Sequence, residues 1–174
     1  MSGRHRKIYA GRIVDLDIET VTLPNGTELE MEIVTHPGGA AVVAIDEHNR
    51  VCLLHQYRHI AGGYLWELPA GKIDNKEPPL ATAQRELQDE AGVQASEWES
   101  LGDIVSSPGV FSEVVQLWLA RGLQFVAARP DTDEVLEVHW VEWQDALKWA
   151  QTGKIRDGKS IAGLMRASAV LDSQ

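Results

Sequence analysis

Apolar and polar positions change their period along this chain, and the changes mark out its elements. Between residues 8 and 18 apolar positions alternate loosely with polar ones, and a second alternation runs from Glu28 to Val34 after Leu23-Pro24-Asn25-Gly26. A period of two suits a strand with one buried face, and Pro-Asn-Gly is a hairpin-type turn, so the chain is expected to open with an antiparallel pair. Ala40 to Ile45 and Arg50 to Gln56 are β-type runs flanking Asp46-Glu47-His48-Asn49, which predicts a second hairpin. A short run, Leu65 to Leu68, leads into the turn Pro69-Ala70-Gly71. Pro78-Pro79 predicts a helix from about Leu80, because proline is tolerated in a first turn, and Gly92 predicts its end through a left-handed cap. Further strands are expected at Trp98 to Val105, Val114 to Ala120 and Val135 to Val141, with helices at Trp143 to Gln151 and Lys159 to Leu171. Mixed strands with few, segregated helices argue for an α+β layered fold rather than a regular βαβ array.

Composition narrows the possible partners. The 174 residues, 44% of them hydrophobic, suffice for one domain with a substantial core. A formal charge of −10 argues against a nucleic-acid backbone or an anionic membrane as partner, and leaves phosphates to local cations or a metal. The single Cys52 excludes an intrachain disulfide and sits in the apolar run Val51-Cys52-Leu53-Leu54, which reads as a buried thiol in a reducing compartment. No apolar run approaches the roughly 20 residues of a spanning helix, and the basic start has no following apolar stretch. A cytoplasmic location is therefore expected.

The chemistry concentrates between Gly71 and Val93. Gly71, Glu77, Arg85-Glu86-Leu87, Asp89-Glu90, Gly92 and Val93 fall in the pattern G-x5-E-x7-R-E-L-x-D-E-x-G-V. On a helix Glu86 lies beside both Asp89 and Glu90, so three acids crowd one stripe and repel by a few tenths of a kcal/mol per pair (~0.2–0.5). A divalent cation would offset that repulsion, and carboxylate oxygens with water and phosphate suit Mg²⁺ or Mn²⁺, whereas Zn²⁺ would call for closely spaced His or Cys. Taken alone, the acids could equally form a solvated helix face, with Arg85, Glu77 and Asp89 as a surface ion-pair cluster.

The whole spacing resembles the signature of the Nudix hydrolase family, G-x5-E-x7-R-E-U-x-E-E-x-G-U with U aliphatic, and departs from it only at Asp89. The resemblance implies an α/β/α sandwich around a mixed sheet over residues 38–174, preceded at 1–37 by an N-terminal antiparallel β extension. Such an extension commonly builds the homodimer interface in the ADP-ribose pyrophosphatase branch. Carried over position by position, it implies that Glu86 and Glu90 ligate metal by side chain and Ala70 by its carbonyl. Asp89, one methylene shorter than glutamate, is expected to reach the metal only through water. Arg85 would orient the acids, and Glu77 would anchor the loop to the helix.

Outside that box, Pro108 stands at an offset that resembles a marker of the same branch, although Pro-Gly is also an ordinary turn. Gln56-Tyr57-Arg58, Trp66 to Gly71 and Ser107 to Glu113 resemble the branch's segments in order and spacing. They imply a diphosphate clamp at Arg58, because a planar guanidinium can donate two bonds, and substrate contacts at Lys72, Ser107 and Glu113. Asp131, Asp133 and Glu134 precede a strand where relatives carry a mobile acidic loop, and Glu134 or Asp133 is expected to position or deprotonate the attacking water. Tyr9 and Phe111 are possible adenine-stacking rings. Met31 stands where the branch often carries Arg before an acid, so Glu32 is left as a base or ribose contact, reaching the partner subunit's site without its cation.

The resemblance implies Mg²⁺-dependent hydrolysis of ADP-ribose, or a related nucleoside diphosphate sugar, to a nucleoside monophosphate and a sugar phosphate. Two alternatives stay open: a pyrophosphatase that removes unwanted nucleoside triphosphates, and a non-catalytic Nudix fold that senses nucleotide sugars.

Overall fold

Three N-terminal strands stand where the alternation predicts two in the computed structural model, which describes residues 5–130, 132 and 134–173. The run from 8 to 18 is interrupted where Gly11 N–H donates to the Val14 carbonyl at 2.9 Å. That turn separates β1 (His5–Ala10) from β2 (Asp15–Thr22), and the Pro-Asn-Gly turn connects β2 to β3 (Glu28–Thr35). Gly26 adopts the positive φ of 84° that this turn requires. The three strands form an antiparallel meander. Its β3 edge joins the rest of the sheet at Val34 and Phe111.

All six residues of β4 (Gly39–Ala44) are buried, because layers cover both of its faces. Ala40, Val42 and Ala44 pack with Ala83 and Leu87 of α1 (Pro79–Ala91). Ala41 and Val43 point the other way, into the core formed with Leu164 and Ala167 of α3 (Gly158–Leu171). Gly163 lets α3 come close, since a Cβ there would lie 2.8 Å from Leu68 Cδ1 and 3.3 Å from Val43 Cγ2. The result is the expected α/β/α sandwich around a mixed sheet. With β7 at Ala70–Lys72, β8 at Val93–Ser107 and β9 at Phe111–Phe125, the larger sheet runs β1-β2-β3-β9-β4-β7, with β8 also paired to β9, and β4 lies parallel to β9.

The second hairpin is corrected. β5 (Arg50–Arg58) does not run along β4 but joins β6 (Gly63–Glu67) and β10 (Leu136–Glu142) in a separate three-stranded sheet. Both ladder edges of β4 are already taken, by β7 (Ala70–Lys72) and β9, so only Ile45 and Val51 bridge the two runs. β8 (Val93–Ser107) and β9 (Phe111–Phe125) are also longer than the sequence suggests. A register shift between Ser100 and Asp103, at Gly102 with φ 78°, bends β8 without ending it. α2 (Trp143–Thr152) and α3 stand where expected, and no helix among the described residues is long and apolar enough to cross a membrane.

Candidate active site

The acidic helix begins at Pro79 and ends at Gly92, whose left-handed φ of 65° lets its N–H return to the carbonyls of Leu87 and Gln88. Within it Glu86 and Glu90 share the buried stripe with Ala83 and Leu87 and face the loop around β7. Glu90 is 2% exposed, and its Oε2 accepts the Ala70 N–H at 2.8 Å. Burial raises its carboxyl well above the ordinary value against that hydrogen bond, and the charges of Glu86 and Glu134 push the same way. Burial also raises Glu86, opposed by Arg85, with Glu134 and Asp89 adding to the rise. Gly71 permits this crowding, because a Cβ at that position would fall on the Glu86 carboxyl.

Arg85 ties the loop to the helix. Its Nη1 donates to Glu86 Oε1 at 2.7 Å, and its Nη2 donates to Glu77 Oε1 at 2.8 Å and to the Lys72 carbonyl at 3.2 Å. Glu77 also accepts from Thr82 Oγ1 at 2.9 Å. Among the described residues no three His, Cys, Asp or Glu side chains are already gathered in ligating positions. The donor set nevertheless fits a hard divalent cation: oxygen ligands only, on two carboxylates whose proton affinity is raised by burial and mutual repulsion.

Glu86 opens on a cleft of about 910 Å³ that Arg58, Lys72, Glu113, Glu134 and Lys159 also help to line, while Glu90 lies buried outside that lining. Arg58 is held by two bonds to Glu67, from Nε at 3.0 Å and from Nη2 at 2.8 Å. Lys159, in the first turn of α3, donates to Glu67 Oε2 at 2.9 Å and lies 3.0 Å from Asp157 Oδ2. Fixed cations therefore stand on the same wall as the acids. Lys72 is ion-paired to Asp74.

Several expected residues are placed elsewhere. Ser106 lines the cleft and Ser107 does not. Glu32 is exposed on β3 and is not on the cleft wall. Asp89 is half-buried and also outside the lining, with its carbonyl accepting the Arg129 N–H at 2.9 Å. Asp131 and Asp133 lie outside the described residues, whereas Glu134 lines the cleft. Of the two possible stacking rings, Tyr9 is exposed on edge strand β1, and Phe111 packs at 5.2 Å against the His36 ring. Cys52 is buried, and burial beside Glu90 pushes its thiol up, so it is no nucleophile.

The cleft also contains residues that the sequence did not single out. His36 Nδ1 accepts the Gly38 N–H at 3.1 Å, which places the ring proton on Nε2. Burial lowers the proton affinity of His36, Glu113 opposes that and Lys72 adds to it. The 3.5 Å approach of Glu113 Oε1 to Nδ1 is therefore not an ion pair in the neutral ring. Gln56 lines the same wall, 3% exposed.

An α/β/α frame whose cleft gathers carboxylates, arginine and lysine in one lining is that of a hydrolase acting on anionic substrates. The NUDIX domain family matches residues 35–164, and the chain belongs to that family. The ADP-ribose pyrophosphatase of Mycobacterium tuberculosis (strain ATCC 25618 / H37Rv) is 38% identical over 94% of this chain and 80% of its own length. The methanol dehydrogenase activator of Bacillus methanolicus is 37% identical over 89% of this chain and 85% of its own. A solved structure described as an ADP compounds hydrolase shares the fold with a TM-score of 0.84, covering 100% of this chain and 96% of that one at 18% identity.

Proposed function

We propose that this protein is a cytoplasmic, Mg²⁺-dependent hydrolase that splits the diphosphate of ADP-ribose or a closely related nucleoside diphosphate sugar. The observation that carries the reading is one cleft wall holding both the acids Glu86 and Glu134 and the cations Arg58, Lys72 and Lys159. Its relatedness to an ADP-ribose pyrophosphatase supports the choice of substrate.

Glu86, Glu90 and the Ala70 carbonyl would hold the cation, with Asp89 reaching it through water. When bound, Mg²⁺ would neutralise charge on the phosphate oxygens and polarise phosphorus, and Mn²⁺ could replace it. Arg58, pre-set by Glu67, clamps the diphosphate, and Lys72 adds a second positive charge. Glu113 and Ser106, in place of Ser107, bind the ribose side. An acid of the loop before β10, Glu134 or Asp133, takes the proton of the attacking water.

Residues 1–37 form a dimerisation extension and 38–174 the catalytic domain. The exposed β1 edge, with Ile8 and Tyr9 uncovered, supports a homodimer. In that dimer Glu32 contributes to the partner's site.

Incubating ADP-ribose, GDP-mannose, ADP-glucose and dGTP with the protein, with and without Mg²⁺, tests the proposal. Mg²⁺-dependent release of a sugar phosphate, with dGTP spared, is the expected result. Preferential dGTP hydrolysis would move the reading to triphosphates, and no cleavage of any would move it to a sensor.

A further inference from the structure

Arg58 closes β5 and Glu67 closes β6, yet the two do not face each other across the ladder. Glu67 pairs with Leu54 and Arg58 with Gly63, so the acid's ladder position lies four residues back along β5. An even offset puts both side chains on one face of the sheet. The Arg58 chain therefore lies back along that face for Nε and Nη2 to reach Glu67 at 3.0 and 2.8 Å. A side chain held in this way gives up much of its rotamer freedom, so its geometry depends on how firmly the acid is fixed. Nη1 takes part in neither bond and remains for an anion.

Lys159 is the second tie on that acid. Glu67 Oε2 accepts from Lys159 Nζ at 2.9 Å as well as from Arg58 Nη2. The same Nζ lies 3.0 Å from Asp157 Oδ2, and the Lys159 side chain is 19% exposed against 42% for Arg58. Of the two cations, Arg58 has the open end and Lys159 the enclosed one. The start of α3 is anchored without the lysine. Asp157 Oδ2 caps the helix by accepting from the N–H and the hydroxyl of Ser160, and Ser160 Oγ accepts the Leu68 N–H at 2.7 Å. Leu68 follows Glu67 directly, so Ser160 fastens α3 to the end of β6 and Lys159 is left to fix the Glu67 carboxylate.

We propose that Lys159 is a positioning residue: it holds Glu67 Oε2, the acid against which Arg58 is aligned, and so sets the diphosphate clamp without touching substrate. This rests on the reading of the cleft as a diphosphate hydrolase site. The other role open to a lysine on the cleft wall is a direct ion pair with phosphate, and the two roles combine differently with Arg58. A residue that acts through Arg58 has nothing to act on once the guanidinium is gone, whereas independent contacts multiply their effects. Because the clamp holds the substrate before and during reaction, its misalignment raises KM more than it lowers kcat.

The test is a double-mutant cycle of Lys159→Met and Arg58→Ala in the full-length chain, with kcat and KM for ADP-ribose in Mg²⁺ and the melting temperature of each protein. Methionine keeps an unbranched chain in the enclosed position, and Lys159→Gln run in parallel keeps the cycle readable where one replacement does not fold. Lys159→Met alone should raise KM about tenfold, the scale of one charge-assisted bond, with kcat within about twofold of wild type. In the Arg58→Ala background it should add less than about twofold to KM. Unchanged KM in the single variants would overturn the proposal. So would a further tenfold rise in the Arg58→Ala background, which would make Lys159 a separate phosphate contact. A fall in kcat that tracks the melting temperature while KM stays put would make the role structural and overturn it too. Wild type that leaves ADP-ribose intact would instead overturn the hydrolytic reading, and the same cycle is then read on the calorimetric Kd for ADP-ribose.

Discussion

Replacing Glu67 by glutamine should destabilise the protein at neutral pH, and part of that loss should disappear as the pH falls. Glu67 is 2% exposed, and its carboxylate accepts two bonds from Arg58 and one from Lys159. Burial alone would raise its proton affinity, yet those bonds outweigh burial and hold the group at about 2, below the ordinary 4.5. A carboxylate depressed that far contributes on the order of 3 kcal/mol, since every tenfold loss of proton affinity on folding is worth about 1.4 kcal/mol. Between the unfolded value of 4.5 and the folded value of about 2, the unfolded chain binds a proton that the folded chain refuses. The contribution is therefore complete above the unfolded value and is lost as the pH drops through the folded one.

Urea unfolding of wild type and Glu67→Gln across that range measures the effect directly. The variant also leaves Arg58 and Lys159 without their acceptor, so a residual difference should persist at low pH. What should change is the gap between the two proteins, which should narrow by about 3 kcal/mol on acidification. A gap independent of pH would refute the depressed carboxylate. In the assay, loosening Arg58 should raise KM for the diphosphate more than it lowers kcat.

Gly71→Ala should lower kcat by about 100-fold, because the added methyl falls on the Glu86 carboxyl and displaces an acid proposed to hold the metal. Full activity in that variant, by steady-state kinetics, would show that the loop yields without moving Glu86. Truncation before Thr35, which removes the meander except for its last residue, should convert a sedimenting dimer into monomers. A truncated chain that still sediments as a dimer would move the interface elsewhere.

The acidic helix was legible because its signals are local: prolines that start it, a glycine that caps it, and acids three and four apart that share one stripe. Chain direction across the layers was not. Ala40 to Ile45 and Arg50 to Gln56 are both apolar runs around a polar turn, which in sequence is indistinguishable from a hairpin. Their separation depends on β7 and β9 occupying both edges of β4, a fact held in distant residues. The expected strand from Trp98 already ran through Gly102, and the length of β8 was hidden at its start, where Val93 follows the helix-capping Gly92 directly. Within the site, the acids and Arg58 could be named from their motif. That Ser106 rather than Ser107 lines the wall could not be read, because it goes with a register shift of the β8–β9 ladder between Val105 and Ser107.

Chromatographic analysis of ADP-ribose incubated with Mg²⁺, using wild type beside Glu90→Gln, tests the central claim most directly. Wild type alone should yield AMP and ribose phosphate, while the variant keeps its fold by circular dichroism and loses nearly all turnover. Equal turnover by the variant would contradict the metal-binding role of Glu90, and intact ADP-ribose with wild type would contradict the proposed reaction.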